Sequence, residues 1–198
     1  MPWLLTAGYS DENQAVWRFQ DDSILRIPLW CGPTLSEEQR EKLRNAQVSV
    51  TWKKRKALPE ILSNNDYPQI VSSRVRRVVE EIEPDAHDFL PVKLVNAESG
   101  ETFDGEFSLL VVSQRVRAVI KERSDYDTIA LSDGRTADLL ETAEWSKRTL
   151  APTPIANMHL FRDEHFVRAL FCSDNLKHRL EAFEGDIHFN PCLVASAE

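Results

Sequence analysis

The chain has 198 residues, enough for a sizeable hydrophobic core, and a single domain is the expectation. Its 24 basic and 32 acidic side chains leave a net charge of -8, which argues against nucleic acid or anionic lipid as a partner and for a basic partner or plain solubility. The three cysteines, Cys31, Cys172 and Cys192, lack metal-ligand spacing and fit buried thiols in a reducing cytosol.

The opening MPWLLTAGYSDENQ has a short apolar start with no basic region before it, so neither a secretory signal nor a membrane anchor is expected. No apolar run approaches the roughly 18 residues of a spanning helix. Residues 15–30, AVWRFQDDSILRIPLW, are rich in aromatic and β-branched side chains and broken by Asp21-Asp22-Ser23, which predicts a hairpin or two short strands. In PTLSEEQREKLRNA, Ser36 and Gln39 have capping-box spacing, and Glu37 and Glu38 fall in the first turn, where the helix dipole favours them. QVSVTW reads as a strand, and the KKRK of residues 53–56 as a solvated turn. LPEILSNNDYPQ reads as a loop and internal seam. Further on come a turn-rich ESGETFDGE, a strand-like FSLLVV, a loop at SDGR, a helix around Ala137 to Arg148, and a proline-bearing connector, APTPIANM.

One phrase recurs: VSSRVRRVV from Val71, VVSQRVRAVI about forty residues later, and FCSDNLKHRL near the C-terminus. In the first copy Gln69-Ile70-Val71 lead to Ser72, and apolar residues then recur at Val75, Val78, Val79 and Ile82, one face of an α-helix. Ser72 can accept hydrogen bonds from the open N–H groups of the first turn, and Pro84-Asp85 then turn the chain into the strand Phe89-Leu90-Pro91-Val92-Lys93-Leu94. The third copy repeats this order: residues 168–172 approach, Ser173 caps, Leu176, Leu180 and Phe183 form the stripe, Glu184-Gly185-Asp186 turn, and residues 189–194 extend. Both end in Phe-x-Pro. The middle copy matches the first best in letters, yet Val112, Val116, Ala118 and Ile120 also fit a period of two, and periodicity leaves helix and strand open there.

In the first and third copies bases lie early in the helix (Arg74, Arg76, Arg77; Lys177, Arg179) and acids late or just beyond it. This opposes the helix dipole. Two explanations are compatible: ion pairs one turn apart, such as Arg76 with Glu80, Arg77 with Glu81 and Lys177 with Glu181, and an acidic surface for a basic partner. The candidate partner-binding residues are Glu80, Glu81, Glu83, Asp85 and Asp88 first, with Glu181, Glu184 and Asp186 second.

No catalytic constellation emerges. The six glycines supply neither Rossmann nor Walker spacing, His159 and His165 stand six apart, not one helical turn, and no serine sits in a nucleophile elbow. Cys172 and His188 could pair only if the fold joins them; burial of Cys172 in an apolar strand is the plainer expectation. No catalytic, cofactor-binding or metal-binding residue is assigned.

PQIVSSRVRRVVEEIEPDAHDFLPVKL, then a strand ending in ERSDYD, then HLFRDE, then LFCSDNLKHRLEAFEGDIHFNP together resemble, in that order, immunity-protein family eleven of bacterial polymorphic toxin systems, over roughly residues 45–194. On this resemblance Ser72 and Ser173 look like the serines opening the family's two helices, His159-Leu160-Phe161-Arg162 like its Phe-Arg strand, and residues 116–127 like a strand ending in acid-x-Ser. Leu58-Pro59-Glu60 departs from the family's more frequent Pro-Asp, and residues before 45 match little. The resemblance implies a protein that binds and neutralises a cognate toxin domain, often a nuclease, delivered between neighbouring cells. Nuclease surfaces are basic, and an acidic inhibitor suits them.

The expectation is therefore an α+β single domain, residues 1–198, with a mixed, largely antiparallel sheet and two strand-helix-strand units. Residues 1–66 would form a β-rich part with one helix, and residues 67–194 the family-like region. The protein would be cytoplasmic and not an enzyme, with a basic toxin as partner and no nucleic acid, membrane or cofactor; a homodimer stays open. The alternatives are a small hydrolase-like enzyme using a Cys-His pair or carboxylates, and a scaffolding module.

Overall fold

The computed structural model describes residues 1–7, 15–21, 23–24, 35–52, 58–64, 67–130, 136–141, 146–166, 168–183 and 187–196. The chain opens with β1 (Trp3–Ala7), β2 (Val16–Phe19), α1 (Glu37–Leu43) and β3 (Ala46–Thr51). Next come β4 (Ile61–Asn64), β5 (Tyr67–Ser72), α2 (Ser73–Ile82), β6 (Asp88–Asn96) and β7 (Phe107–Val111). After β8 (Arg115–Val116) follow β9 (Tyr126–Ala130), β10 (Thr136–Leu140) and β11 (Thr149–Leu150). The last elements are β12 (Leu160–Asp163), β13 (Leu170–Cys172), α3 (Asp174–Leu180), β14 (Ile187–Pro191) and β15 (Leu193–Val194). This is an α+β protein with mixed sheets. It divides into two compact units, one of residues 7–113 with 180–187, the other of residues 1–6, 114–179 and 188–198.

In the first unit the sheet order is β2-β3-β6-β7-β5-β4, with β3 and β6 parallel and the other neighbours antiparallel. Alternation decides which face is buried: Ala46, Val48 and Val50 of β3 point inward, as do Leu90, Val92 and Leu94 of β6. They join Trp17, Phe19, Leu43, Leu62, Ile70 and Leu109 in one core. α1 starts with the expected capping box, in which Gln39 N donates to Ser36 Oγ (3.2 Å) and Ser36 N to Gln39 Oε1 (2.8 Å). Pro91 lies in a central strand opposite Ser108 of β7; it has no N–H to give the ladder, and its carbonyl accepts from Asn45 N (2.8 Å) one residue before the β3–β6 pairing begins.

In the second unit β14-β1-β13-β12-β8 form a five-stranded sheet, and the pairs β10-β9 and β11-β15 stand apart. Its core holds Leu4, Ala118, Leu140, Leu150, Phe161, Phe166, Phe171 and Cys192, with the rings of Phe161 and Phe171 stacked at 5.3 Å between centroids.

Both expected strand-helix-strand units form, and their likeness goes further than the letters. In the first, β4 pairs with β5, Ser72 caps α2 and β6 returns, with β7 inserted between β5 and β6. In the second, β12 pairs with β13, Ser173 caps α3 and β14 returns, with β1 inserted between β13 and β14. Ser72 Oγ accepts from Val75 N (3.3 Å) and Ser173 Oγ from Leu176 N (3.2 Å). In both copies a cation four residues past the cap stands over the phenylalanine of Phe-x-Pro: Arg76 over Phe89 at 5.3 Å and Lys177 over Phe189 at 5.6 Å. Of the middle copy, Arg115–Val116 form the short strand β8, parallel to β12, and Val119 makes an isolated bridge to Leu150.

Two sequence expectations are overturned. Residues 61–64 and 67–69, read as part of a loop, belong to the hairpin β4–β5; backbone pairing outweighs the turn preference of Ser63, Asn64 and Pro68. The helix expected from Ala137 begins instead as strand β10, paired along its length with β9, so cross-strand bonding overrides the helix propensity of Ala137, Leu139 and Leu140. The KKRK of residues 53–56, SDGR (Ser132 to Arg135), Cys31 and residues 25–30 of the expected first hairpin lie outside the described residues.

Candidate functional site

The first acidic group follows from how α2 ends. Val75 and Val79 bury one face of the helix, Glu83 N closes the last turn onto Val79 O (2.9 Å), and Asp85 takes a left-handed conformation (φ 57°) that redirects the chain into β6. The five acids of this stretch then have different fates. Glu80 pairs with Arg76 at 2.8 Å, as the i, i+4 spacing predicts. Glu83 is buried and its carboxylate meets His87 Nε2 at 3.1 Å. Asp88 holds Arg40 of α1 at 2.6 Å, and that contact raises the pKa of Arg40 above its ordinary value. Glu81 and Asp85 are exposed.

Of the second group, Glu181 is exposed, and Glu184 and Asp186 lie outside the described residues. Phe183, two residues after Glu181, sits under the Arg74 guanidinium at 5.2 Å, beside the basic first turn of α2 and not at its acidic end. Among the leading acids, Glu80, Glu83 and Asp88 thus contact bases of the same chain.

A second set of carboxylates was not singled out in the sequence. Asp125 and Asp127 flank Tyr126 at the start of β9, and Glu141 N donates to Asp125 O (3.1 Å), just past the register pairs Leu140↔Tyr126 and Leu139↔Asp127. A hydrogen bond to Asp127, then burial, then the charges of Asp127 and Asp125 raise the Glu141 carboxyl above its ordinary range. The alternation Asp-Tyr-Asp was the available signal, since a period of two sets both aspartates on one face of a strand.

The Imm11 immunity protein family model matches residues 6–193. The chain belongs to that family. The match starts well before residue 45, so β2 and α1 fall within it, where the sequence resemblance did not reach. Membership implies a cognate toxin as partner. No curated protein matches the chain.

Cys172 and His188, the pair weighed in the sequence, lie on different strands of this Imm11 chain. Cys172 is fully buried on β13 and His188 is exposed on β14, with β1 between the two strands. Cys172 and Cys192 are free thiols, and burial pushes the Cys192 thiol up to about 12. His159 Nδ1 lies 2.7 Å from Ser173 Oγ, but that hydroxyl is the α3 cap. Among the described residues no three His, Cys, Asp or Glu side chains could hold a metal ion, and no helix is long and apolar enough to cross a membrane.

The buried charges of the Phe-Arg strand are architectural. Asp163 accepts four backbone N–H groups: Ala118 and Val119 on Oδ2 (2.8 Å each), His165 (2.8 Å) and Phe166 (3.1 Å) on Oδ1. It thereby ties β12 to the stretch after β8. Arg162, register partner of Arg115, donates to Arg168 O (3.2 Å), and burial first, then the neighbouring Arg115 charge, bring its pKa down to about 9.

Proposed function

We propose that this Imm11 protein is a cytoplasmic immunity protein that neutralises a basic toxin domain by stoichiometric contact and performs no chemistry. The family match over residues 6–193 carries this reading. The net charge of -8 supports a basic partner, with a nuclease as the toxin class that suits it best, because opposite charge raises association rates and a nuclease must be basic to hold phosphate. The proposed contact is the acidic end of α2, with Glu81 and Asp85 facing solvent and Glu80 and Asp88 at its rim; Glu181, Glu184 and Asp186 form the secondary set.

Co-expression with the toxin domain encoded in the adjacent reading frame tests it. The wild-type chain should restore growth, and Glu81→Lys with Asp85→Asn should lose protection at an unchanged melting temperature. Asparagine tolerates the left-handed backbone at 85, and Glu83 is left intact because its charge is buried. Protection retained by the double variant overturns this surface; a wild-type chain that does not protect overturns the function.

A further inference from the structure

The hairpin β9–β10 is a two-stranded sheet in which neither strand pairs with any other strand of the described residues. Such ribbons are marginal alone, and open strand edges are sites where another chain adds on. Its two faces differ. On one, Lys121 Nζ holds Asp138 at 2.7 Å and stands 4.6 Å from the Tyr126 ring centre, Thr128 Oγ1 donates to Asp138 (2.7 Å), Tyr126 meets Phe166 edge-on at 5.7 Å, and Leu140 enters the core. That face anchors the hairpin to its unit.

The other face carries Asp125, Asp127 and Ile129 from β9 with Leu139 and Glu141 from β10, by register. Asp127 is exposed and the other four are half-buried. Among the described residues none of the three acids is in an ion pair, unlike Asp88 and Asp138. The Glu141 carboxyl is raised first by its hydrogen bond to Asp127 and by burial, then by the charges of Asp127 and Asp125, while Arg148 opposes the shift; the negative charge of the three acids on one face favours an incoming cation.

We propose that this face and its open edge bind an extended segment of the cognate toxin carrying lysine or arginine, by strand addition, with Ile129 and Leu139 as the apolar anchor and the three acids as the charged rim. This rests on the immunity reading but uses a surface other than the α2 end.

The test is calorimetric titration of the full chain with the toxin domain encoded beside it, catalytically disabled. Asp127→Lys with Ile129→Glu should weaken binding at least about tenfold, a loss that a hot-spot contact produces, while Val16→Lys, at an exposed position in the other unit, should not. Amides of residues 126–130 should exchange more slowly in the complex. Unchanged affinity and exchange in the hairpin, with the wild-type chain still binding, overturns this inference alone. No binding by the wild-type chain overturns both proposals.

Discussion

Ser72 and Glu60 are joined twice: Ser72 N donates to the Glu60 carbonyl at 2.9 Å, and Ser72 Oγ hydrogen-bonds the Glu60 carboxylate. Ser173 and His159 repeat the arrangement, with Ser173 N on His159 O at 2.9 Å and the side chains 2.7 Å apart. In each case the second residue stands immediately before the first strand of the hairpin, so one serine closes the hairpin and opens the helix. Different chemistry, a carboxylate in one copy and an imidazole in the other, fills the same structural place. Glu60 belongs to the tripeptide where the sequence departs from the family pattern.

Ser72→Ala and Ser173→Ala should each cost about 1 kcal/mol, seen as a lower urea midpoint at constant slope. If the second bond matters, Ser72→Ala and Glu60→Gln will be non-additive by about 0.5 kcal/mol or more in a double-mutant cycle. Strict additivity would reduce the tie to an ordinary cap.

Phe171→Ala removes a fully buried ring stacked on Phe161 and should cost about 3–5 kcal/mol. Leu193→Ala, at a position 62% exposed, should stay within about 0.5 kcal/mol of wild type. Thermal unfolding followed by circular dichroism distinguishes them.

Asp163→Asn keeps the shape but turns an amide NH2 toward two of the four backbone N–H groups the carboxylate now accepts. A loss of about 2 kcal/mol or more is expected from the donors left unsatisfied. A near-neutral effect would mean that the site is wetter than its 2% exposure indicates.

The hairpin should respond to pH in two opposite ways. Hydrogen bonds from Lys121 and Thr128 hold the Asp138 carboxyl below its ordinary value, so its contribution is present above the ordinary carboxylate range and is lost as pH falls through the lowered value. The Lys121 ammonium, raised by Asp138, contributes at and below its ordinary range and loses this as pH rises through the raised value. Glu141 is raised, so the folded state binds its proton more tightly; that contribution is present at low pH and fades as pH rises through the carboxylate range. Asp138→Asn should flatten the acid-side loss, and Asp127→Asn should reduce the Glu141 dependence, leaving the part due to burial and Asp125. Unfolding scans at low and high salt, with smaller effects at high salt, check both, since these groups are exposed to solvent screening.

The sequence by itself determined the local devices: the capping box at Ser36, the apolar stripe of α2, the serine caps and the returning Phe-x-Pro strands. Each is written within one or two helical turns, where residue spacing dictates which groups can meet. It did not separate the fates of Glu80, Glu81, Glu83, Asp85 and Asp88, because whether an acid faces solvent, a buried histidine or an arginine of α1 depends on chain distant in sequence. The middle phrase stayed open between helix and strand, and the stretch from Ala137 misled, because short apolar runs become strands when a partner strand is at hand. Only the tertiary structure decided that β1 enters between β13 and β14, pairing Trp3 with Cys172, and that β7 fills the matching place in the other copy. Strand pairing is made by backbone groups that every residue carries, so the letters of a strand do not name its partner.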